Sequence, residues 1–418
     1  MGERICVVSS GCLSSGPRVV KEADALAEAG YAVHVVVCHT LPWMEAWDQE
    51  LASGRGWSYE AVRWDANTRR ASAVGVLSAG ASRAARLLSD LLGGLPGADE
   101  LAHSAATAPL LKAVLAQRAD LYIAHNLAAL PVARAASRLH RARLAFDAED
   151  DHFGELNAPQ QTSAEGQRVH ALMDRHLPSC AYVSAASPAM GEALAARHGI
   201  TPPVVVHNVF PWSEREGLDG LQKDRQGDAL SLCWYSQSLG LDRGLQDLIA
   251  AAGRLKGDVQ VHLRGDADAD VRAELERLGA EAGVAGRLWF HGQVPPGELL
   301  SRCAEHDVGF ALEQPVSDNR MRTVTNKLFF YLLAGLAVAA TETTGQRAVL
   351  AEAPDVGFTY APGDIEALTQ GLQRWLDDPA ALERAKTAAL SAAERRFSWE
   401  RERTTLVDAV RRALSVQR

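Results

Sequence analysis

Residues 309–341 read GFALEQPVSDNRMRTVTNKLFFYLLAGLAVAAT, and this stretch decides the fold. It begins inside a short apolar run, 308–312, which reads as a buried strand. A polar segment with one proline follows, and then Thr325-Asn326-Lys327 stands directly ahead of an apolar run. That order predicts a helix near 326–334, stopped by Gly335, and a second buried strand at 337–340. Two wholly apolar strands joined by a helix belong to a parallel sheet covered on both faces. Lys327 in the first helical turn opposes the helix dipole, so it is an unfavourable choice unless an anion occupies the site.

Working outward, the same alternation fills both halves of the chain. In the second half, strand-like runs at 232–235, 260–263 and 288–290 are separated by helical patterns at 244–255 and 269–282, and a long helical tail follows 337–340. In the first half, the run ICVV at 5–8 leads through a Ser/Gly loop to a helix opened by Pro17 and ended by Gly30. Further strands are expected at 33–37, 121–124, 144–146, 182–185 and 204–206, with a helix at 128–138. The segment 208–227, NVFPWSEREGLDGLQKDRQG, is polar and broken by Pro and Gly, the pattern of a linker. The expectation is an α/β protein of two doubly wound, Rossmann-like domains, residues 1–212 and 230–395, joined by a linker at 213–229. Such domains bind ligands beyond the carboxyl ends of their strands, here in a central cleft.

Composition narrows the function. The 418 residues are 47% hydrophobic and 23% charged, with a net charge of −9, and neither half is a basic arm. A nucleic-acid partner is therefore not expected. Six cysteines are scattered without a CxxC pair, which excludes a zinc ribbon or a disulfide framework and fits a reducing cytoplasm. No apolar run reaches the ~18 residues of a membrane span. No signal peptide precedes the first strand, so the expected location is cytoplasmic.

Several segments carry candidate chemistry. The loop SSGCLSSGPR, 9–18, lies between the first strand and a helix, where free N–H groups can receive an anion. It lacks GxGxxG, and the chain has no GKS or GKT, so dinucleotide and P-loop readings lose support. Arg243-Gly244 opens a helix after a strand, a place where a guanidinium can neutralise a diphosphate. FDAEDDHFGE crowds Asp147, Glu149, Asp150, Asp151 and Glu155 at a strand end, suited to acceptor hydroxyls or a cation. His152 beside them has no partner at metal-ligand spacing, so no metal and no cofactor is expected. GDADAD, 265–270, reads as acidic capping of the next helix. The segment 69–96 combines four arginines with Leu and Val at helical spacing. It reads as a surface helix packed on the first domain, with peripheral membrane contact as its other use.

The stretch around NKLFFYLLAGLAV resembles the corresponding region of the group 1 glycosyltransferases of GT-B fold (the family 4 type). Other segments are similar to that family in the same order: GPRVVKEADALAEAGYAVHVV, DLYIAHNLAALPVA, AFDAEDDHFGE, VVVHNVFP, LCWYSQSLGLDRGLQDLI and VGFTYAPGDIEALTQGLQRWLDD. The resemblance implies a closing helix, within 396–418, that crosses back to the first domain. It implies a nucleotide-sugar donor, a hydroxyl-bearing acceptor, retention of anomeric configuration and no need for metal. Arg243 and Lys327 then correspond to the diphosphate-binding groups and His125 to a residue facing the sugar. Gly244, Thr325 and Asn326 would line the phosphate, Gly265 and Val294 the base, and Gly11 and Arg18 the first-domain loop near the donor. Asp147, Glu149 and Asp150 fall on the acceptor side. Three positions depart from the family. Phe330 and Arg322 replace a pair of Glu residues, and Ser238 replaces an Arg; Glu313 is the expected substitute for the ribose-binding carboxylate. A sugar-nucleotide epimerase and a non-catalytic partner subunit are the rival readings.

Overall fold

The structure, a computed structural model, describes residues 2–39, 45–63 and 73–415. It consists of two compact units, Met1–Val206 with Arg403–Arg418, and His207–Glu402. The last helix, Trp399–Ser415, begins among the residues of the second unit and continues into those of the first.

The first unit holds seven strands: β1 (Arg4–Ser9), β2 (Ala32–His39), β3 (Ser58–Arg63), β4 (Leu121–His125), β5 (Arg143–Ala148), β6 (Tyr182–Ala185) and β7 (Val204–Val205). Their order is β3-β2-β1-β4-β5-β6-β7, and all pairings are parallel. Every residue of β4 is buried, as expected for a central strand with helices on both faces. The sequence gives no sign of β3, because SYEAVR is an edge strand with no fully buried position and so needs no apolar run.

The second unit holds β8 (Leu230–Ser238), β9 (Val259–Asp266), β10 (Leu288–His291), β11 (Val308–Ala311), β12 (Ala337–Thr341) and β13 (Gly357–Tyr360). The order is β10-β9-β8-β11-β12-β13, again all parallel. In each sheet the chain starts at the centre, runs to one edge and returns on the other side. The reversals fall between β1 and β4 and between β8 and β11, where a doubly wound sheet opens a ligand crevice at its carboxyl edge.

The deciding stretch folds as read: the helix spans Asn326–Ala334 and stops at Gly335, whose φ is 81°. The segment 219–225 is fastened to the second unit, since Lys223, Asp224 and Arg225 all donate backbone N–H groups to Glu305 and Arg225 pairs with Asp307.

The helix Ala73–Leu92 lies on the first unit against the helix Ala98–His103. Ser78, Ser82, Ala85 and Ser89 form its buried side, while Leu77, Leu87 and Leu91 are 73%, 74% and 81% exposed. Small residues allow its backbone to lie close to the helix Ala98–His103, and the leucines are left outside. Arg69 and Arg70 lie outside the described residues. Among the described residues, no helix is long and apolar enough to cross a membrane.

Candidate functional site

In the first unit the parallel register aligns Ser9, His125, Asp147 and Ser184 in one row across the carboxyl ends of β1, β4, β5 and β6. The helix Pro17–Glu28 adds Arg18 and Glu22, one turn apart on the face turned to that row. Arg18 donates to both Asp147 oxygens, at 2.6 and 2.8 Å, and to the carbonyl of Val206 at 2.8 Å. Ser184 Oγ donates to Asp147 at 2.6 Å. His125 Nε2 lies 2.5 Å from Glu22, and Nδ1 lies 3.3 Å from Asp147. Arg18, Glu22, His125 and Asp147 are each 3% exposed.

Two acids and two bases thus neutralise one another out of water. Burial disfavours the charged imidazole, but Glu22 and Asp147 overcome it and push the His125 pKa up to about 10. Burial likewise opposes the Asp147 charge, yet Arg18 and His125 hold it well below the usual carboxylate range. His125, Arg18 and Asp147, expected from the sequence beside the donor and acceptor, hold one another and form the floor of the carboxyl edge.

The loop 9–18 is held from within the first unit. The N–H groups of Leu13 and Ser14 are taken by the carboxylate of Asp48, at 2.9 and 2.8 Å, and Asp48 is held in turn by His39 at 3.0 Å. Gly11 gives its N–H to Ser9 Oγ and its carbonyl to Cys38.

Glu149, Asp150 and Asn126 stand at the same edge. Glu149 and Asp150 are half-buried just beyond β5. Burial, then Asp147 and Asp150, raise the Glu149 pKa, with Arg18 and His125 opposing. Asn126 is exposed and has φ of 68°, one of two non-glycine residues among those described with positive φ. Its Oδ1 accepts from Ser9 Oγ and Ser10 Oγ at 3.1 and 3.3 Å. Strain of this kind gathers at functional edges. Asn126 was missed in the sequence, although Asn directly after a strand is the residue type that tolerates this conformation.

In the second unit the carboxyl ends of β8 and β11 gather cations. After β8 the chain turns through Leu241–Arg243 into the helix Leu245–Arg254. Gly244 between them has φ of 73°, and a Cβ there would lie 3.0 Å from the Leu312 carbonyl, so only glycine fits this approach to β11. Glu313 follows β11 and is buried. Arg320 Nη1 donates to it at 2.6 Å from the short helix Asp318–Arg322. Lys327 is half-buried, with Nζ 5.6 Å from the Trp234 ring centre. Burial lowers its pKa, Glu313 raises it, and Arg243 and Arg320 lower it further. Arg243 (itself 3.6 Å from Asp242), Arg320 and Lys327 thus lie near one another, an excess of positive charge at the start of the helix Asn326–Ala334. Thr325 occupies the N-cap position without a side-chain cap, and its Oγ1 is buried without a partner. Asn326 beside it is exposed. Arg320 was missed because SDNRM reads as loop; the sign available was a buried carboxylate seven residues earlier that needed a cation.

Gly265 is the second-last residue of β9, and a Cβ there would meet the Ser236 carbonyl at 2.5 Å. Val294 lies in the loop after β10, half-buried. Phe330 does not face the cations. Its ring packs against Phe210 and Tyr235 at 4.9 and 5.1 Å, inside the second unit. Arg322 pairs with Asp318 at 3.1 Å. Asp268 occupies the N-cap position of the helix Ala269–Glu281, as GDADAD suggests, but its side chain makes no cap hydrogen bond.

No protein-family model matches the chain, and no curated protein matches it in sequence. Solved structures do. HepE from Anabaena in complex with UDP is 16% identical with a TM-score of 0.69, over 98% of this chain and 99% of that one. Sucrose-phosphate synthase from Thermosynechococcus elongatus is 16% identical with a TM-score of 0.69, over 99% and 100%. A glycosyltransferase from Rickettsia africae is 13% identical with a TM-score of 0.68, over the whole of both chains.

The chain has the GT-B fold.

Within the GT-B architecture, the polar row of the first unit and the cation group of the second each sit at a carboxyl edge beside the switch point of its own sheet.

Proposed function

We propose that the protein is a glycosyltransferase that moves a sugar from a nucleoside-diphosphate sugar to an acceptor hydroxyl, with retention and without a metal ion. One observation carries the reading: Arg243, Arg320 and Lys327 gather at the carboxyl edge of the second sheet, where the carboxylates placed against them are the buried Glu313, paired with Arg320, and Asp242, 3.6 Å from Arg243. A diphosphate supplies the missing negative charge. The HepE structures contain UDP and, in another crystal, UDP-glucose, which favours a nucleotide-sugar over a simple phosphate ester.

In this reading the C1–O bond to the diphosphate breaks and its electron pair stays on the phosphate oxygen. Arg243, Lys327 and Arg320 stabilise that charge, together with the N–H groups at the start of the helix Asn326–Ala334. With retention, the acceptor oxygen bonds to C1 on the face the phosphate leaves, and the departing phosphate takes the acceptor proton. Gly244, Thr325 and Asn326 position the phosphates, and Gly265 and Val294 border the base. Glu313 both orients Arg320 and offers oxygen to ribose hydroxyls in place of Phe330. The acceptor binds on the first unit, at Glu149, Asp150 and Asn126. There His125, Arg18 and Asp147 act as positioning residues, and Gly11 shapes the adjoining loop. The leucines of the helix Ala73–Leu92, with exposed Arg83, suit peripheral contact with an anionic membrane. Six cysteines that form no disulfide fit a reducing, cytoplasmic setting.

The test is a thermal-shift series with UDP-, GDP-, ADP- and dTDP-sugars, followed by product analysis with and without acceptor. One donor is expected to raise the melting temperature by mass action. No shift with any donor overturns the reading, and a new sugar nucleotide formed without acceptor replaces it with epimerisation.

A further inference from the structure

A second polar cluster lies in the first unit away from the row at the strand ends. His170 and Asp174 are one turn apart on the helix Ala164–His176, and His198 is the last residue of the helix Pro188–His198. The Asp174 carboxylate meets both rings, Oδ2 at 2.9 Å from His170 Nδ1 and Oδ1 at 2.6 Å from His198 Nδ1. The ring centres are 5.3 Å apart. One ligand atom from each of the three residues lies within 4.8 Å of the others, the one such group among the described residues.

We propose that His170, Asp174 and His198 bind a divalent transition-metal ion of the zinc class. Two imidazole nitrogens and a carboxylate are a zinc donor set, whereas magnesium and calcium prefer oxygen alone. Tetrahedral zinc with metal–nitrogen bonds near 2.0–2.1 Å spaces its ligands about 3.4 Å apart. The two nitrogen–oxygen separations are shorter than this and open to it with small rotations. The i, i+4 spacing turns His170 and Asp174 to one side of their helix. His198 is fixed more rigidly, because its side chain is fully buried and its helix ends at Gly199 in the left-handed region. His198 Nε2 has no hydrogen-bond partner, so Nδ1 is the nitrogen committed to the cluster. His170 and Asp174 are 37% and 46% exposed, which leaves an entry path and room for a water ligand.

In the ion-free form the hydrogen bonds between carboxylate and rings hold the cluster together; the ion replaces the bridging protons, which leave to solvent. The nearby cation, Arg197, is neutralised by Asp151 at 2.6 Å and lies over the Phe153 ring at 5.1 Å. Phe153 also meets His170 edge-on at 5.0 Å. A bound ion therefore joins two helices and braces the segment Asp151–Phe153, which continues from Glu149 and Asp150. The proposal does not depend on the transferase reading.

The experiment uses full-length protein stripped with chelator and titrated with CoCl2 by visible absorption and with ZnCl2 by calorimetry. One equivalent is expected to bind, with cobalt d–d bands and no sulfur charge-transfer band, and zinc is expected to raise the melting temperature. His170→Ala and Asp174→Asn, both at partly exposed positions, are each expected to weaken binding at least tenfold and to lose the zinc-induced shift. Circular dichroism of the ion-free variants establishes that they are folded. Absence of binding at about 100 µM ion, or variants that bind as the wild type does, overturns the proposal.

Discussion

Arg18 and Asp147, 129 positions apart in the chain, form a buried bidentate ion pair with bonds of 2.6 and 2.8 Å. Removing one partner leaves the other charged and out of water. Arg18→Ala is therefore expected to lower stability by about 3–5 kcal/mol, read as a shift of the urea midpoint. A loss below about 1 kcal/mol, the range of exposed pairs, would mean that water reaches the site.

His125 makes stability pH-dependent. Its folded pKa, near 10, is above the ordinary value of 6.5, so its contribution is complete below pH 6.5 and is lost as pH rises toward 10. Asp147 acts in the opposite sense: its lowered pKa contributes above the ordinary value of 3.8 and is lost in acid below it. The melting temperature is expected to fall between pH 6.5 and 10 more steeply in the wild type than in His125→Gln. Parallel curves would show that the ring is neutral.

The cation group makes the donor site testable residue by residue. Arg243→Ala, Arg320→Ala and Lys327→Ala are each expected to weaken nucleotide-sugar binding by about 1.5–3 kcal/mol, the worth of a charge-assisted hydrogen bond. Calorimetric titration measures this, and unchanged affinity in all three would remove the diphosphate from this edge.

Phe330 and Glu313 separate stability from binding. The Phe330 ring is packed between Phe210 and Tyr235, so Phe330→Ala is expected to cost about 3–5 kcal/mol of stability while the folded fraction keeps its donor affinity. Glu313→Gln is expected to do the reverse, weakening donor binding with a smaller effect on melting. Donor titrations beside melting curves of both variants decide this, and exchanged outcomes would make the ring a wall of the pocket.

Transfer at 25 °C is expected to persist in EDTA, because phosphate charge is met by Arg243, Arg320 and Lys327. A rate that vanishes with chelator and returns with metal in His170→Ala, which lacks the proposed zinc site, would place an ion at the reacting centre.

The central architecture was legible because it rests on local signals. The helix Asn326–Ala334 is announced by its polar start, its apolar run and its glycine stop, and the buried strands by runs of β-branched residues. Edge strand β3 was not legible, since half-exposed residues carry no such run. The helix Ala73–Leu92 was legible as a surface helix, but its apolar spacing does not say that the leucine side faces solvent.

For the site, the sequence by itself determined which residues stand at strand ends and helix starts, because those positions follow from periodicity along the chain. It thereby brought Arg243, Glu313 and Lys327 to the carboxyl edge of one sheet. Only the tertiary structure decided what each side chain spends its charge on. Asp48 fills the N–H groups of the first loop from 34 and 35 residues away. His125 and Arg18 are consumed by Glu22 and Asp147, across separations of 103 and 129 residues. Parallel register and helix packing set these partnerships, and no spacing along the chain encodes them. The same two basic residues that read as ligand-binding groups are, once folded, counter-charges that make a buried carboxyl edge neutral.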